Sequence, residues 1–239
     1  MAVNLKTDLS VDGGLRAWLP SRCLLCGARG GSGLDLCSAC LADLPRNDCC
    51  CGRCALPLET PASLCGRCVR RAPPWDAAWA PFRYAYPLDR LETRFKFGAD
   101  LAAGKLLASL WTGSHMPGEL PQAIVPVPLH RSRLRTRGYN QALEIANPLA
   151  KALGIPLLRD ALQRTRATDA QTELSALQRR RNVRGAFAAS FGDETPQHVA
   201  VLDDVFTTGA TLAECTRVLK RAGVDRVDVW ALARAPARG

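Results

Sequence analysis

The chain has 239 residues, 47% of them apolar, which is enough for one sizeable core with a small satellite module beside it. No apolar run approaches the ~18 residues that a membrane-spanning helix needs, and the N-terminus lacks a basic start followed by an apolar stretch, so the expectation is a soluble cytoplasmic protein with no membrane insertion. The formal charge of +10 is concentrated, because residues 129–186 carry 12 basic and 4 acidic side chains and all but one of the cations are arginine. Scattered lysines would describe a solvated face. Planar guanidinium forks that match phosphate oxygens point instead to a polyanionic partner, either nucleic acid or a small phosphorylated molecule.

Ten of the eleven cysteines lie between residues 23 and 68, and eight of them form the CxxC pairs Cys23/Cys26, Cys37/Cys40, Cys51/Cys54 and Cys65/Cys68. Each half reads C-x2-C-x10-C-x2-C. A CxxC turn aims two thiolates at one point, so two such turns complete a tetrahedral four-cysteine zinc site, and two structural zinc ions follow. A disulfide framework is the alternative. It is disfavoured because the cysteines are paired at knuckle spacing and no secretion signal precedes them. Sequential ligation keeps each ribbon local, and an interleaved cross-brace has the same spacing. Four thiolates leave no open coordination position, which makes these ions structural, and metal binding supplies much of the folding free energy of so small a module. Cys49 and Cys50 are spare thiols beside a ligand, and Cys215, at helical spacing with Leu212, Val218 and Leu219, reads as a buried apolar residue.

The expected organisation is a zinc-ribbon module over residues 1–72 and an α/β domain over 73–239, with the Pro-rich stretch 72–81 as linker. Residues 88–111 read as helix interrupted near Gly98, and 124–127 as a buried strand between two prolines. Residues 139–153 read as a helix closed by Gly154 and kinked at Pro148. Strands are expected at 155–158, 199–202 and 227–232, with a helix at 210–222 ending at Gly223. This alternation implies an open, mostly parallel α/β sheet flanked by helices.

The most informative stretch follows the apolar run Val199–Leu202: Asp203, Asp204, Val205, Phe206, Thr207, Thr208, Gly209, Ala210, Thr211. Ligands of open α/β sheets sit at the carboxyl ends of strands, where this turn lies. Thr207, Thr208, Gly209, Ala210 and Thr211 offer backbone N–H groups and hydroxyls at a helix N-terminus, an environment that favours a phosphate dianion. Two carboxylates would repel that phosphate and must face something else, and a vicinal diol is their natural partner. The bland alternative is a capped helix with surface acids. The run resembles the fingerprint of type I phosphoribosyltransferases for 5-phosphoribosyl 1-pyrophosphate (PRPP), a hydrophobic strand followed by DD and TTGAT.

A wider resemblance, to the ComF family associated with bacterial competence, rests on the four CxxC pairs and on Val125-Pro126-Val127-Pro128. It extends to Arg137-Gly138-Tyr139-Asn140-Gln141, to the series Arg164, Arg166, Thr168, Gln171, Arg179 and Asn182, and to the DDVFTTGAT run. The resemblance implies a type I phosphoribosyltransferase-like domain behind a double zinc ribbon. It implies that Asp203 and Asp204 hold the ribose hydroxyls and that Thr207 to Thr211 cradle the 5-phosphate. Pro128, Leu129, His130 and Arg131 would approach the pyrophosphate, and Arg137 would join the two acids as a catalytic residue. Magnesium would be carried mainly by PRPP oxygens. Arg131, Arg133, Arg135 and Arg137, in an extended loop, would project from one side. The segment carrying Arg164, Arg166, Gln171 and Arg179 looks like the mobile loop that closes over PRPP in this enzyme class; an exposed basic helix is the plainer reading. Two functions compete: transfer of phosphoribose to a nitrogen acceptor with release of pyrophosphate, and non-catalytic binding of single-stranded DNA in transformation, beside competence machinery proteins and with PRPP as ligand or regulator.

Overall fold

The computed structural model describes residues 21–115, 118–166, 176–192 and 194–236. It divides into two compact units, one ending at Leu44 and one running from Pro45 onward. No described helix is long and apolar enough to cross a membrane.

In the first unit a CxxC turn is closed by Cys23 N–H donating to Ala28 (2.7 Å) and Gly27 N–H to Cys23 (2.9 Å). Helix α1 (Ser38–Ala42) starts at the second knuckle, where the Cys37 sulfur accepts from Cys40 N–H and caps the helix. Leu36 is the buried centre of this unit.

The second unit opens with a similar ribbon. Cys51 N–H donates to Leu56, Ala55 N–H returns to Cys51, and helix α2 (Gly66–Arg70) begins at the last knuckle. The chain then enters a parallel sheet. Strand β3 (Ala123–Pro126) pairs with β6 (His198–Phe206), β6 with β7 (Arg226–Arg234), and β7 with both β1 (Ala78–Trp79) and β2 (Phe82–Arg83), every pair parallel. Ala123 to Pro126 and Val199 to Leu202 are buried throughout, as unbroken apolar runs covered on both faces should be.

Helices α3 (Leu88–Phe97) and α4 (Leu101–Thr112) flank the sheet, and they break at Gly98 as the sequence implies. The helix α6 (Gln141–Leu153) carries Pro148 internally and ends on Gly154 at φ +65°, a left-handed C-cap that glycine adopts without a Cβ penalty. Helix α8 (Ala210–Arg221) follows β6 directly. Strand β4 (Leu162–Arg164) pairs antiparallel with β5 (Phe187–Ala189), and helix α7 (Ala176–Val183) lies between them in the chain.

Three expectations need correction. Residues 72–81 are no free linker, since β1 lies within them and Trp79 packs against Trp111 and Trp230 at 5.6 and 5.2 Å between ring centroids. Residues 155–158 make one parallel bridge, Ile124 with Leu157, and no strand of their own. Arg131 to Arg137 form helix α5 and not an extended loop, because the His130 imidazole accepts from Ser132 N–H as an N-cap and Gly138, at φ +80°, ends the helix. Residues two apart therefore point to opposite sides. Arg131 and Arg135 share one exposed face, and Arg133 and Arg137 a half-buried one.

Candidate functional site

Two centres are built by local chain geometry. In each cysteine cluster, Cys23, Cys26, Cys37 and Cys40 in one and Cys51, Cys54, Cys65 and Cys68 in the other, all four sulfurs lie within 4.8 Å of one another. A tetrahedral site with zinc–sulfur bonds of about 2.3 Å puts its sulfurs about 3.8 Å apart. The Sγ atoms of Cys26 and Cys37 are 3.7 Å apart, and those of Cys54 and Cys65 are 3.6 Å apart. The donor sets thus fit zinc, and the pairing is sequential. Burial alone would raise the Cys23 thiol, but backbone N–H groups of Cys37, Cys26 and Leu25 override it and bring its pKa down to about 6. Cys49 and Cys50 are half-buried outside both clusters, and Cys215 is fully buried on α8.

The second centre lies at the carboxyl end of β6. The apolar run stops at Asp203 and Asp204, which are half-buried where their neighbours are buried. Their carboxyl groups lie close enough together at the strand end to interact with one another. Asp204 turns toward α3, where Lys96 Nζ lies 2.9 Å from its Oδ2 and 3.5 Å from Glu92 Oε2. The charge of Asp203 is felt by Arg164 on β4 and by Cys215 on α8. Burial, reinforced by the charge of Asp204, raises the Asp203 carboxyl to about 7, with Lys96 acting in the opposite direction. Glu92 is fully buried, and burial raises it to about 7 as well. Lys96 loses solvation, yet the carboxylates of Asp204 and Glu92 more than offset that and hold its ammonium above the usual range. One cation is therefore locked between two carboxyl groups, Asp204 and Glu92, and its charge also reaches Asp203.

Directly after Phe206 the chain turns through Thr207 and Thr208 into α8, with Gly209 as N-cap at φ +75°. A Cβ on Gly209 would stand 2.7 Å from the Phe206 ring and 2.9 Å from Trp75, so glycine is required by both conformation and space. The Thr208 hydroxyl accepts from Ala210 N–H at 3.4 Å. No acceptor among the described residues takes the N–H of Thr207, Thr208 or Gly209. Gly209 is the N-cap donor of α8, and Thr207 and Thr208 are the turn residues just before it, next to two carboxyl groups.

Beside this turn, Pro128, Leu129 and His130 follow β3, held by Asn140 Nδ2 donating to Val127 O at 3.1 Å. The rest of the Arg137 to Gln141 motif is tied to α3: Tyr139 stacks on Phe95 and its hydroxyl donates to the Phe95 carbonyl, while Arg137 lies over Phe97 and donates to Gln141 Oε1 at 3.2 Å. Arg164 sits on β4 over the Phe187 ring, and Arg166 donates to the carbonyls of Asn182 and Arg184, tying the base of the Arg-rich segment together. Thr168 and Gln171 lie outside the described residues, as does the side chain of Arg179.

Sequence reasoning did not name Glu92, and it left Lys96, with Arg94, in a segment similar to the family's where both could equally be ordinary surface cations. A lysine at i+4 from a glutamate on an amphipathic helix reads as a surface pair, and the one signal available was the burial of the opposite face at Leu91 and Phe95.

The fold and its sites define a class: a double zinc ribbon together with a mostly parallel α/β sheet flanked by helices. Residues 14–69 match the family model described as a double zinc ribbon domain. The chain is 39% identical over 193 residues to competence protein F of Haemophilus influenzae, covering 77% of this chain and 84% of that protein. It is 36% identical over 223 residues to the DNA utilization protein YhgH of Escherichia coli K12, covering 90% and 98%. With competence protein ComFC of Streptococcus pneumoniae the identity is 28% over 157 residues, 65% and 67% of the two chains. The chain belongs to the ComF family of competence and DNA utilization proteins.

Proposed function

We propose that this protein binds PRPP as its magnesium complex at the end of β6 and transfers phosphoribose to a nitrogen acceptor with release of pyrophosphate, in the service of competence and DNA uptake in the cytoplasm. The single observation that carries this reading is the juxtaposition, at one strand end, of two half-buried carboxyl groups with three backbone N–H groups that no described residue accepts from. In this reading Asp203 and Asp204 accept from the ribose hydroxyls, and the amides of Thr207, Thr208 and Gly209 with Ala210 and Thr211 receive the 5-phosphate. Lys96, 2.9 Å from Asp204 Oδ2, orients that carboxylate for the diol.

Pro128, Leu129, His130 and Arg131 approach the diphosphate, with Arg137 nearby. Carboxylate oxygens are hard donors that suit magnesium, which in this reading arrives chelated by PRPP and supplies charge neutralisation of the diphosphate. The chain's own contribution is positioning, a low-dielectric surrounding and exclusion of water from an electron-poor ribosyl carbon by the segment bearing Arg164 and Arg166. Calorimetry with magnesium and PRPP on the full chain tests the site. Wild type should bind, and Asp203→Asn combined with Asp204→Asn should abolish the heat of binding; unchanged affinity in that variant would remove the assignment.

A second reading, single-stranded DNA binding with PRPP as ligand or regulator, is favoured by a different observation. Arg131, Arg135, Arg181 and Arg184 are solvent-exposed in one arginine-rich stretch, and Phe97, 68% exposed beneath the Arg137 guanidinium, offers an aromatic face for a base. The names of the relatives, DNA utilization and competence proteins, accord with it.

A further inference from the structure

Arg234, the last residue of β7, is almost completely buried and belongs to none of the motifs read from the sequence. Its Nη1 donates to the carbonyls of Phe206 (2.9 Å) and Thr207 (2.7 Å), and its Nε donates to the carbonyl of Cys54 (3.0 Å), a ligand of the second zinc site. The guanidinium lies 4.2 Å from the Phe206 ring centroid. In a trans peptide the C=O and the N–H of the same unit point in opposite directions. Holding the Phe206 and Thr207 carbonyls on one side therefore turns the N–H groups of Thr207 and Thr208 to the other, where no described group takes them. A cation bonded to the oxygen end of a peptide also polarises its N–H end, which strengthens that group as a donor to an anion.

A second strut runs parallel. Trp75 donates from Nε1 to the carbonyl of Arg53 at 2.6 Å, inside the knuckle between Cys51 and Cys54, and meets Phe206 edge-on at 5.4 Å. The same indole sits where a Gly209 side chain would be. The knuckle is fixed from its other side by Asn47, which donates to Ala55 and Ala80 at 2.9 and 3.0 Å.

We propose that the second zinc ribbon is a buttress of the phosphate turn, acting through Arg234 and Trp75 to aim the amides of Thr207 and Thr208 at the ligand. Arg234 is on this account a positioning residue that touches no ligand itself. The inference rests on the phosphate-binding reading of that turn, and its test separates the two. Affinity for PRPP with magnesium would be measured by calorimetry on the full chain, alongside zinc content and the amide resonances of Thr207 and Thr208. Arg234→Met should shift both resonances and weaken binding by about tenfold or more, whereas Arg234→Lys, which still donates to carbonyls, should stay within about threefold of wild type. Cys54→Ser should weaken binding while Cys26→Ser, which also lowers zinc to about one equivalent, should not.

Wild-type resonances and affinity in Arg234→Met would overturn the proposal, as would equal weakening by the two cysteine variants. Should Arg234→Met fail to fold, Trp75→Phe, which removes the donor to the Arg53 carbonyl, carries the test: wild-type affinity and unmoved Thr207 and Thr208 resonances there refute it. Failure of the wild type to bind PRPP would sink the functional reading, while the amide shifts would still decide the buttress.

Discussion

Lys96 holds its place by a balance that fixes how the candidate site must respond to pH. Asp203 is raised to about 7 by burial and by the charge of Asp204, and Lys96 is the group that pulls it down. A diol donates to an ionised carboxylate more strongly than to a neutral acid, so PRPP affinity should rise as pH climbs from 6 to 8. Lys96→Met removes the lowering influence, and the Asp203 carboxyl then holds its proton to higher pH. The expected result in calorimetry is weaker binding at pH 7, by about tenfold for each unit of pKa displaced, and a profile moved to higher pH. A profile that weakens without moving would mean that Lys96 contributes charge to the ligand and does not tune the acids. The acids and the threonine turn were legible in the sequence because they are contiguous and their chemistry is carried by residue type. Lys96 was not, since it reaches Asp204 from 108 positions away and only the fold tells a lysine pointing inward from one pointing to water.

At the scale of elements, the sheet's long buried strands declared themselves through unbroken apolar runs, and both helices around Gly98 through their apolar periodicity. Strands of two residues carry no periodicity at all, which is why β1, inside the Pro-rich stretch, and β2, just past it, were hidden; their partner, β7, lies about 150 residues further on. Helix α5 was misread for another reason: with Leu134 its one large apolar residue, it has no stripe to detect, and its ends are set by the His130 cap and by Gly138. The helical geometry sharpens what the arginines can do. Arg131 and Arg135 lie one turn apart on the exposed face and can meet two phosphates of one strand, whereas Arg137 is engaged with Phe97 and Gln141. If single-stranded DNA is a ligand, Arg131→Ala with Arg135→Ala should lower the slope of log affinity against log salt by about 1.4, the loss of two phosphate contacts at about 0.7 each. Fluorescence titration at several salt concentrations measures the slope, and an unaltered slope removes α5 from any DNA interface.

For the whole molecule, the decisive fact is where the second ribbon belongs. The four CxxC pairs look alike in sequence and invite one module over residues 1–72, but the compact unit that holds the α/β domain begins at Pro45. Asn47, the Arg53 carbonyl and the Cys54 carbonyl each close a hydrogen bond with a residue of β7 or of the segment that carries β1. Arg46 covers the ring of Phe82, which is fully buried on β2. Two truncations distinguish these boundaries. A chain of residues 45–239 should unfold cooperatively and hold about one equivalent of zinc. A chain of residues 73–239 leaves Arg234 Nε and the Trp75 indole without their acceptors, Cys54 and Arg53, at about 1–3 kcal/mol each, and uncovers Phe82 on the side of Arg46 besides. That sum is a large fraction of the 5–15 kcal/mol that typically separates folded from unfolded domains, so this shorter chain should melt far lower or fail to accumulate. Equal melting temperatures for the two truncated chains in urea-free buffer would mean that the second ribbon is only an appendage, and the phosphate turn would then have to be self-supporting.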